Sequence, residues 1–108
     1  MKLQSLKPQD FHQHLQHQPQ ILIDVRQPEE WQQQRIEGAT LIPLATIPKH
    51  INQICQTHDQ PIYIYCQHGV RSHQACLLLL SLGFEKVFQL EGGLSQWVSA
   101  GFPCQAGI

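Results

Sequence analysis

Two short runs of this chain, Ile21-Leu22-Ile23-Asp24-Val25 and Pro61-Ile62-Tyr63-Ile64-Tyr65-Cys66, are almost unbroken apolar, β-branched and aromatic sequence. A strand with one face in water alternates polar and apolar residues, whereas a strand covered on both faces reads as a continuous apolar run. The two runs therefore predict central strands of a mainly parallel sheet with helices over both faces. Val87-Phe88-Gln89-Leu90, after the stop signal Gly83, predicts a third strand, and Thr40-Leu41-Ile42, closed by Pro43, a fourth.

Between the strands the pattern turns helical. Pro8 suits a first helical turn, with Phe11 and Leu15 on the inner face, and Gln27-Pro28-Glu29-Glu30 opens a second helix with acids at its positive end. Ile47, Ile51 and Ile54 mark a third. The longest helix is expected from about Arg71 to Leu82, with Ala75, Leu78, Leu79 and Leu82 along one face and Gly83 after its end. A last helix, Leu94 to Ala100, carries Trp97 and stops at Gly101. Strands alternating with helices through short links, with no repeat or linker, predict one α/β domain over residues 1–108. An apolar fraction of 42% is enough for one modest core in a chain of this length.

Charge and cysteine usage remove several classes of function. The formal net charge is -1 and lysine and arginine form no run, so no broad footprint for nucleic acid or an acidic membrane surface is present. The start, Met1-Lys2-Leu3-Gln4-Ser5, lacks the apolar stretch of a signal peptide, and the longest apolar run, Ala75 to Leu80, is too short to span a bilayer, so the cytoplasm is the expected compartment. Cys55, Cys66, Cys76 and Cys104 form no C-x-x-C pair and are read as free thiols. The histidines do not pair with them at zinc-site spacing, so no metal is expected.

The chemistry concentrates after the second central strand. Ligands of open parallel sheets bind outside the carboxyl ends of the strands, where helix N-termini point free N–H groups. Cys66 sits at such a place and is followed by Gln67-His68-Gly69-Val70-Arg71-Ser72. Gly69 lets the backbone curl, and successive N–H groups then converge as a nest suited to a negatively charged sulfur. A buried cysteine closing a strand is the plain alternative; the joint presence of glycine, arginine and serine in a strand-to-helix loop favours a nucleophile. Arg71 is open between binding an anionic substrate and pairing with a surface acid. His68 is open between proton or hydrogen-bond donor and solvated loop residue, and Ser72 is expected to cap the helix start.

With these residues in view the chain resembles the rhodanese, or thiosulfate sulfurtransferase, superfamily over nearly its whole length. Ile23-Asp24-Val25-Arg26 followed by Pro28-Glu29-Glu30-Trp31 looks like that family's D-x-R strand end. Arg35-Ile36-Glu37-Gly38-Ala39 with Ile42-Pro43 looks like its H-I-P-G-A-x-x-I-P segment, with Arg35 for the usual histidine and Glu37 for the proline. Cys66 to Ser72 looks like the active loop, and Leu90-Glu91-Gly92-Gly93, Trp97 and Gly101-Phe102-Pro103 look like the C-terminal signature. The resemblance implies a rhodanese-like α/β domain in which Cys66 takes the outer sulfur of a small sulfur-containing anion and passes it on by a ping-pong persulfide mechanism. The acceptor would be cyanide, a thiol, or a thioredoxin-like or sulfur-carrier protein. Gln67, His68, Gly69, Val70 and Arg71 would form the substrate-binding loop, and Asp24, Arg26 and Ser72 its structural support. Some thiosulfate-cleaving members carry a basic residue soon after D-x-R, where this chain has Glu29 and Glu30, an arrangement that repels thiosulfate.

Two other functions use the same features. A related phosphatase or arsenate reductase has a C-x-x-x-x-x-R loop, whereas here four residues, Gln67 to Val70, separate Cys66 from Arg71 and make a tighter cradle. A non-enzymatic sulfur-relay or partner-binding module would keep the fold but leave the cysteine loop without a catalytic reason.

Overall fold

The computed structural model describes residues 2–17 and 20–107. Met1, Gln18, Pro19 and Ile108, which fall within the expected 1–108 domain, lie outside the described residues. The strands are β1 (Lys2–Leu6), β2 (Ile21–Asp24), β3 (Thr40–Leu41), β4 (Ile62–Tyr65) and β5 (Lys86–Leu90). The helices are α1 (Pro8–His17), α2 (Pro28–Gln33), α3 (Ile47–Ile54), α4 (Val70–Ser81) and α5 (Gly93–Ser99), with a 3-10 turn at Leu44–Thr46. The strands form one sheet in the order β1-β5-β4-β2-β3, and every neighbouring pair is parallel.

The apolar runs do what their composition requires. Along β2 and β4, Ile23, Val25, Ile62, Ile64 and Cys66 face one side, where they pack with Ile47 and Ile51 of α3 and Ala75, Cys76 and Leu79 of α4. The alternate residues Leu22, Tyr63 and Tyr65 face the other side and pack with Phe11 of α1 and Leu94 and Trp97 of α5. All four residues of β4 are buried because they supply both cores at once. The short helix α2 buries none of its residues and sits beside the loop it helps to position.

Three details differ from the sequence reading. The strand β1 was not expected: Leu3 joins the first core and Leu6 the second, while Gln4 and Ser5 are exposed. With so few apolar residues, this edge strand exists through its ladder with β5, in which Leu3 stands opposite Val87 and Leu6 opposite Leu90. The inner face of α4 is Ser72, Ala75, Cys76 and Leu79 with Leu78 partly buried beside them, so the expected stripe holds except at Leu82, which is 39% exposed. The helix begins one residue early, at Val70, and Ser72 and Cys76 lie on the same face as Ala75 and Leu79, at the spacing of three and four residues that a helix aligns. Ser72 does not satisfy backbone donors at the helix start; its hydroxyl donates to the Gly69 carbonyl at 3.2 Å.

Candidate functional site

The carboxyl ends of β2, β4 and β5 open onto one edge of the sheet, and the segment 66–72 crosses that edge between β4 and α4. Gly69 is the turn point: at φ +107° it takes a left-handed conformation that side-chain-bearing residues rarely adopt, and its N–H donates to Cys66 Sγ at 3.0 Å. The thiol in turn lies 3.5 Å from Ser72 Oγ, as donor to it. The Gly69 carbonyl is held by the Ser72 hydroxyl, by His73 N–H at 3.2 Å and by Gln89 Nε2 at 3.3 Å. A thiol at a strand end, an amide aimed at it and a helix starting within four residues form a small anion cradle. Cys66 is only 1% exposed, so a reagent reaches it by a slender terminal atom.

The loop is clamped from below by the start of α5. Leu94 N–H donates to the Cys66 carbonyl at 2.8 Å and Ser95 N–H to the Gln67 carbonyl at 3.0 Å. That approach is open only to glycine at position 93, where a Cβ would stand 2.5 Å from the carbonyl of Gln67. Leu90-Glu91-Gly92-Gly93 is therefore turn geometry with a direct consequence for the site.

Asp24 and Arg26 brace the loop from the side. Arg26 donates through Nε and Nη2 to the Asp24 carboxylate, at 2.7 Å for the shortest contact, and Asp24 also accepts the Arg26 backbone N–H at 2.9 Å. Both are buried; Nη1 donates to the Gln67 side-chain oxygen at 2.9 Å, and Nη2 also donates to the Gln34 carbonyl. Burial opposes the Arg26 charge, but the Asp24 carboxylate outweighs it and holds the guanidinium above its ordinary pKa. Beneath lies Tyr65, whose hydroxyl accepts the Ile36 N–H at 3.1 Å and is pushed far above its usual range by burial and by Asp24.

Arg71 resolves toward an acid. Its Nη1 and Nη2 donate to the two oxygens of Glu30 at 2.7 and 2.9 Å, a bidentate pair across the loop's rim. The Arg71 hydrogen bonds hold the Glu30 carboxyl at about 2. His68 and Val70 are exposed on the rim, Gln67 is half-buried, and no hydrogen bond to another described side chain fixes His68. The substituted Arg35 reaches away from the site: it donates to the Trp31 and Gly107 carbonyls and bridges backbone to backbone with Gln105.

The other thiols have no comparable cradle. Burial pushes Cys76 up to about 12 and raises Cys55. Cys104 is half-exposed and lines a cleft of about 290 Å³ with His12, Ile36 and Trp97 that includes none of residues 66–72. Sequence reasoning missed Gln89, a buried amide anchoring Gly69 whose Oε1 has no partner, and it left the Glu30–Arg71 link undecided. The signal for Gln89 was present as the one polar residue of the run Val87-Phe88-Gln89-Leu90.

A doubly covered parallel sheet with a cysteine in a tight glycine loop at the carboxyl end of a central strand defines an α/β domain with a thiol at the strand-to-helix junction. The family model for the rhodanese-like domain matches residues 7–100. A sulfurtransferase of Allochromatium vinosum is 37% identical over 86 residues, which span 80% of this chain and 78% of that protein. The chain thus belongs to the rhodanese-like domain family. A tRNA uridine(34) hydroxylase of Chlamydia abortus is 34% identical over 95 residues, and the match spans 82% of this chain but 29% of the hydroxylase. Among solved structures, a thiosulfate sulfurtransferase from Pseudomonas aeruginosa superposes with a TM-score of 0.86 at 26% identity, covering 97% of this chain and 20% of that one. Among the described residues no helix is long and apolar enough to cross a membrane.

Proposed function

We propose that residues 1–108 act as one rhodanese unit, a sulfurtransferase that carries sulfane sulfur on Cys66. The observation that carries this reading is the 3.0 Å hydrogen bond from the Gly69 amide to a cysteine sulfur held at the junction of β4 and α4. In the first half-reaction the Cys66 thiolate attacks the outer sulfur of the donor. The new S–S bond forms as the donor's own bond to that sulfur breaks, and the leaving group departs with the bonding pair, as sulfite from thiosulfate or as a thiolate from a persulfide. In the second, cyanide, a thiol or a sulfur-carrier protein attacks the outer sulfur and the Cys66 thiolate is regenerated. Transferable sulfur is the terminal atom of such donors, which suits a thiol reached only through the loop. Loop amides stabilise the negative charge on the persulfide as oxyanion-hole donors do. Gln67, His68, Gly69, Val70 and Arg71 shape the entrance, and Asp24, Arg26 and Ser72 hold it.

This chemistry calls on no cofactor, and with the net charge of -1 it gives no role to nucleic acid or a membrane. The reading places the protein in the cytoplasm, where sulfane carriers and thiols meet. The phosphatase reading is disfavoured by the four-residue spacer and by an arginine turned to Glu30 instead of into the cradle. Mass spectrometry after incubation with a sulfane donor tests the proposal. Cys66 should gain one sulfur atom that cyanide removes, and Cys66→Ser should abolish transfer; sulfur found only on Cys104 would refute it.

A further inference from the structure

The rim of the cradle holds one arginine, Arg71, and the structure shows where its charge goes. Both terminal nitrogens are engaged by the carboxylate of Glu30, with the two side chains 33% and 30% exposed, and Arg71 lies close enough to Cys66 to feel a charge on its sulfur. Glu30 is itself fixed, because its Oε1 also accepts the Gln27 N–H at 3.0 Å at the start of α2. The exposed Glu29 adds a further negative charge on the same turn. The neighbouring cation, Arg26, is buried against Asp24. A dianion arriving at the loop therefore meets backbone amides and two arginines that are each already paired with an acid, and its Coulomb attraction to Arg71 is opposed by the carboxylate bound to that guanidinium.

We propose that Glu30 is a specificity-determining residue that shields Arg71 and turns the site from inorganic dianions such as thiosulfate toward organic persulfide donors. This deepens the sulfurtransferase reading and rests on it. With a persulfide donor, R–S–SH, the Cys66 thiolate takes the outer sulfur to give Cys66–S–SH while R–S⁻ leaves with the bonding pair. The leaving group then carries one charge, not the two of sulfite, and a rim without a free arginine suffices. The amide cradle is unaffected, since Glu30 touches none of the atoms around Cys66 Sγ that fix it.

The test compares the unmodified protein, Glu30→Gln, Glu30→Ala and the double variant Glu30→Gln/Arg71→Met with thiosulfate and with cysteine persulfide as donors. The unmodified protein should have the higher kcat/KM with the persulfide. Freeing Arg71 should raise the thiosulfate-to-persulfide ratio of kcat/KM about tenfold through a lower thiosulfate KM, with the gain shrinking in high salt. The double variant should lose that gain. Calorimetric titration with sulfate gives a second readout that needs no turnover, and affinity should rise in both single variants. An unmodified protein that transfers sulfur while neither the ratio nor sulfate affinity responds to Glu30 overturns the shield and leaves the sulfurtransferase reading standing. Transfer from neither donor overturns that reading, and sulfate binding alone then decides the shield.

Discussion

Replacing Gly93 by alanine isolates the contact between α5 and the cysteine loop. A Cβ there would lie 2.5 Å from both the carbon and the oxygen of the Gln67 carbonyl and 2.6 Å from the Cys66 carbonyl oxygen. These are backbone atoms, so no rotamer change relieves the clash, and the loop must move away from α5. At φ +67° the alanine also pays for a left-handed conformation, about 1–2 kcal/mol. The movement strains the hydrogen bonds from Leu94 and Ser95, about 1 kcal/mol each. The expected loss is then about 3–4 kcal/mol, within the roughly 5–15 kcal/mol that a domain has in hand. A folded but displaced loop follows, and a shift of about 1 Å at the cradle should lower sulfur transfer about a hundredfold. Gly38→Ala is the control: its φ is +90° and an added Cβ meets nothing within 4 Å, so only the backbone cost of about 1–2 kcal/mol applies, with turnover unchanged. Urea unfolding and sulfur transfer measured on both variants decide the matter. Equal stability and equal turnover for the two would refute the clamp.

The remaining predictions concern charge and loop length. Asp24→Asn strands the buried Arg26 charge and should cost about 3–5 kcal/mol in urea unfolding, since breaking one side of a buried pair leaves the other uncompensated. Glu30 has its folded value lowered to about 2, from about 4.3 unfolded, so its contribution is complete above about pH 4.3 and is lost as pH falls toward 2. The stability difference between the unmodified protein and Glu30→Gln, at most about 1 kcal/mol for so exposed a pair, should therefore hold above about pH 4.3 and shrink as pH falls from there toward about 2; a constant difference across that range contradicts the assignment. A glycine inserted after Gly69 should depress sulfur transfer sharply while circular dichroism stays unchanged, because it moves the Gly69 amide off Cys66 Sγ but leaves both cores intact.

What was legible in the sequence is what short-range pattern controls. The doubly buried β2 and β4 show in their unbroken apolar runs, and the cysteine loop shows because Gly69 and the following helix lie within a few residues of Cys66. What was not legible depends on partners distant in sequence. β1 is held by β5, some 84 positions away, as in the pairing of Lys2 with Lys86, and its own residues KLQSL carry no strand period. The choice of Glu30 over substrate for Arg71 is set by how α2 docks beside α4, a spacing of 41 residues that no local rule reads. Leu82 was misassigned to the inner face because its side of α4 continues the apolar period past the point where the helix ends and the chain turns outward at Gly83.

The segment that follows β2 explains why the site can be both rigid and weakly charged. Asp24 and Arg26 close the strand as a buried pair, and Arg26 carries that rigidity to the loop through Gln67. Four residues on, Glu30 reaches the same loop from outside and cancels Arg71. Each cation near Cys66 is thus matched by an acid from this one segment, so the charge on a sulfur bound at Cys66 falls to neutral amides that the fold has already oriented. In the proposed mechanism, amides fixed by β4, α4 and α5 would need no reorganisation as a persulfide formed, whereas a free arginine on a half-exposed rim would be screened by salt and would draw any passing dianion. Under these two proposals, selectivity resides in Glu30 at the rim, and the sulfur carried by Cys66 rests on the loop geometry that Gly69 and Gly93 allow at its base.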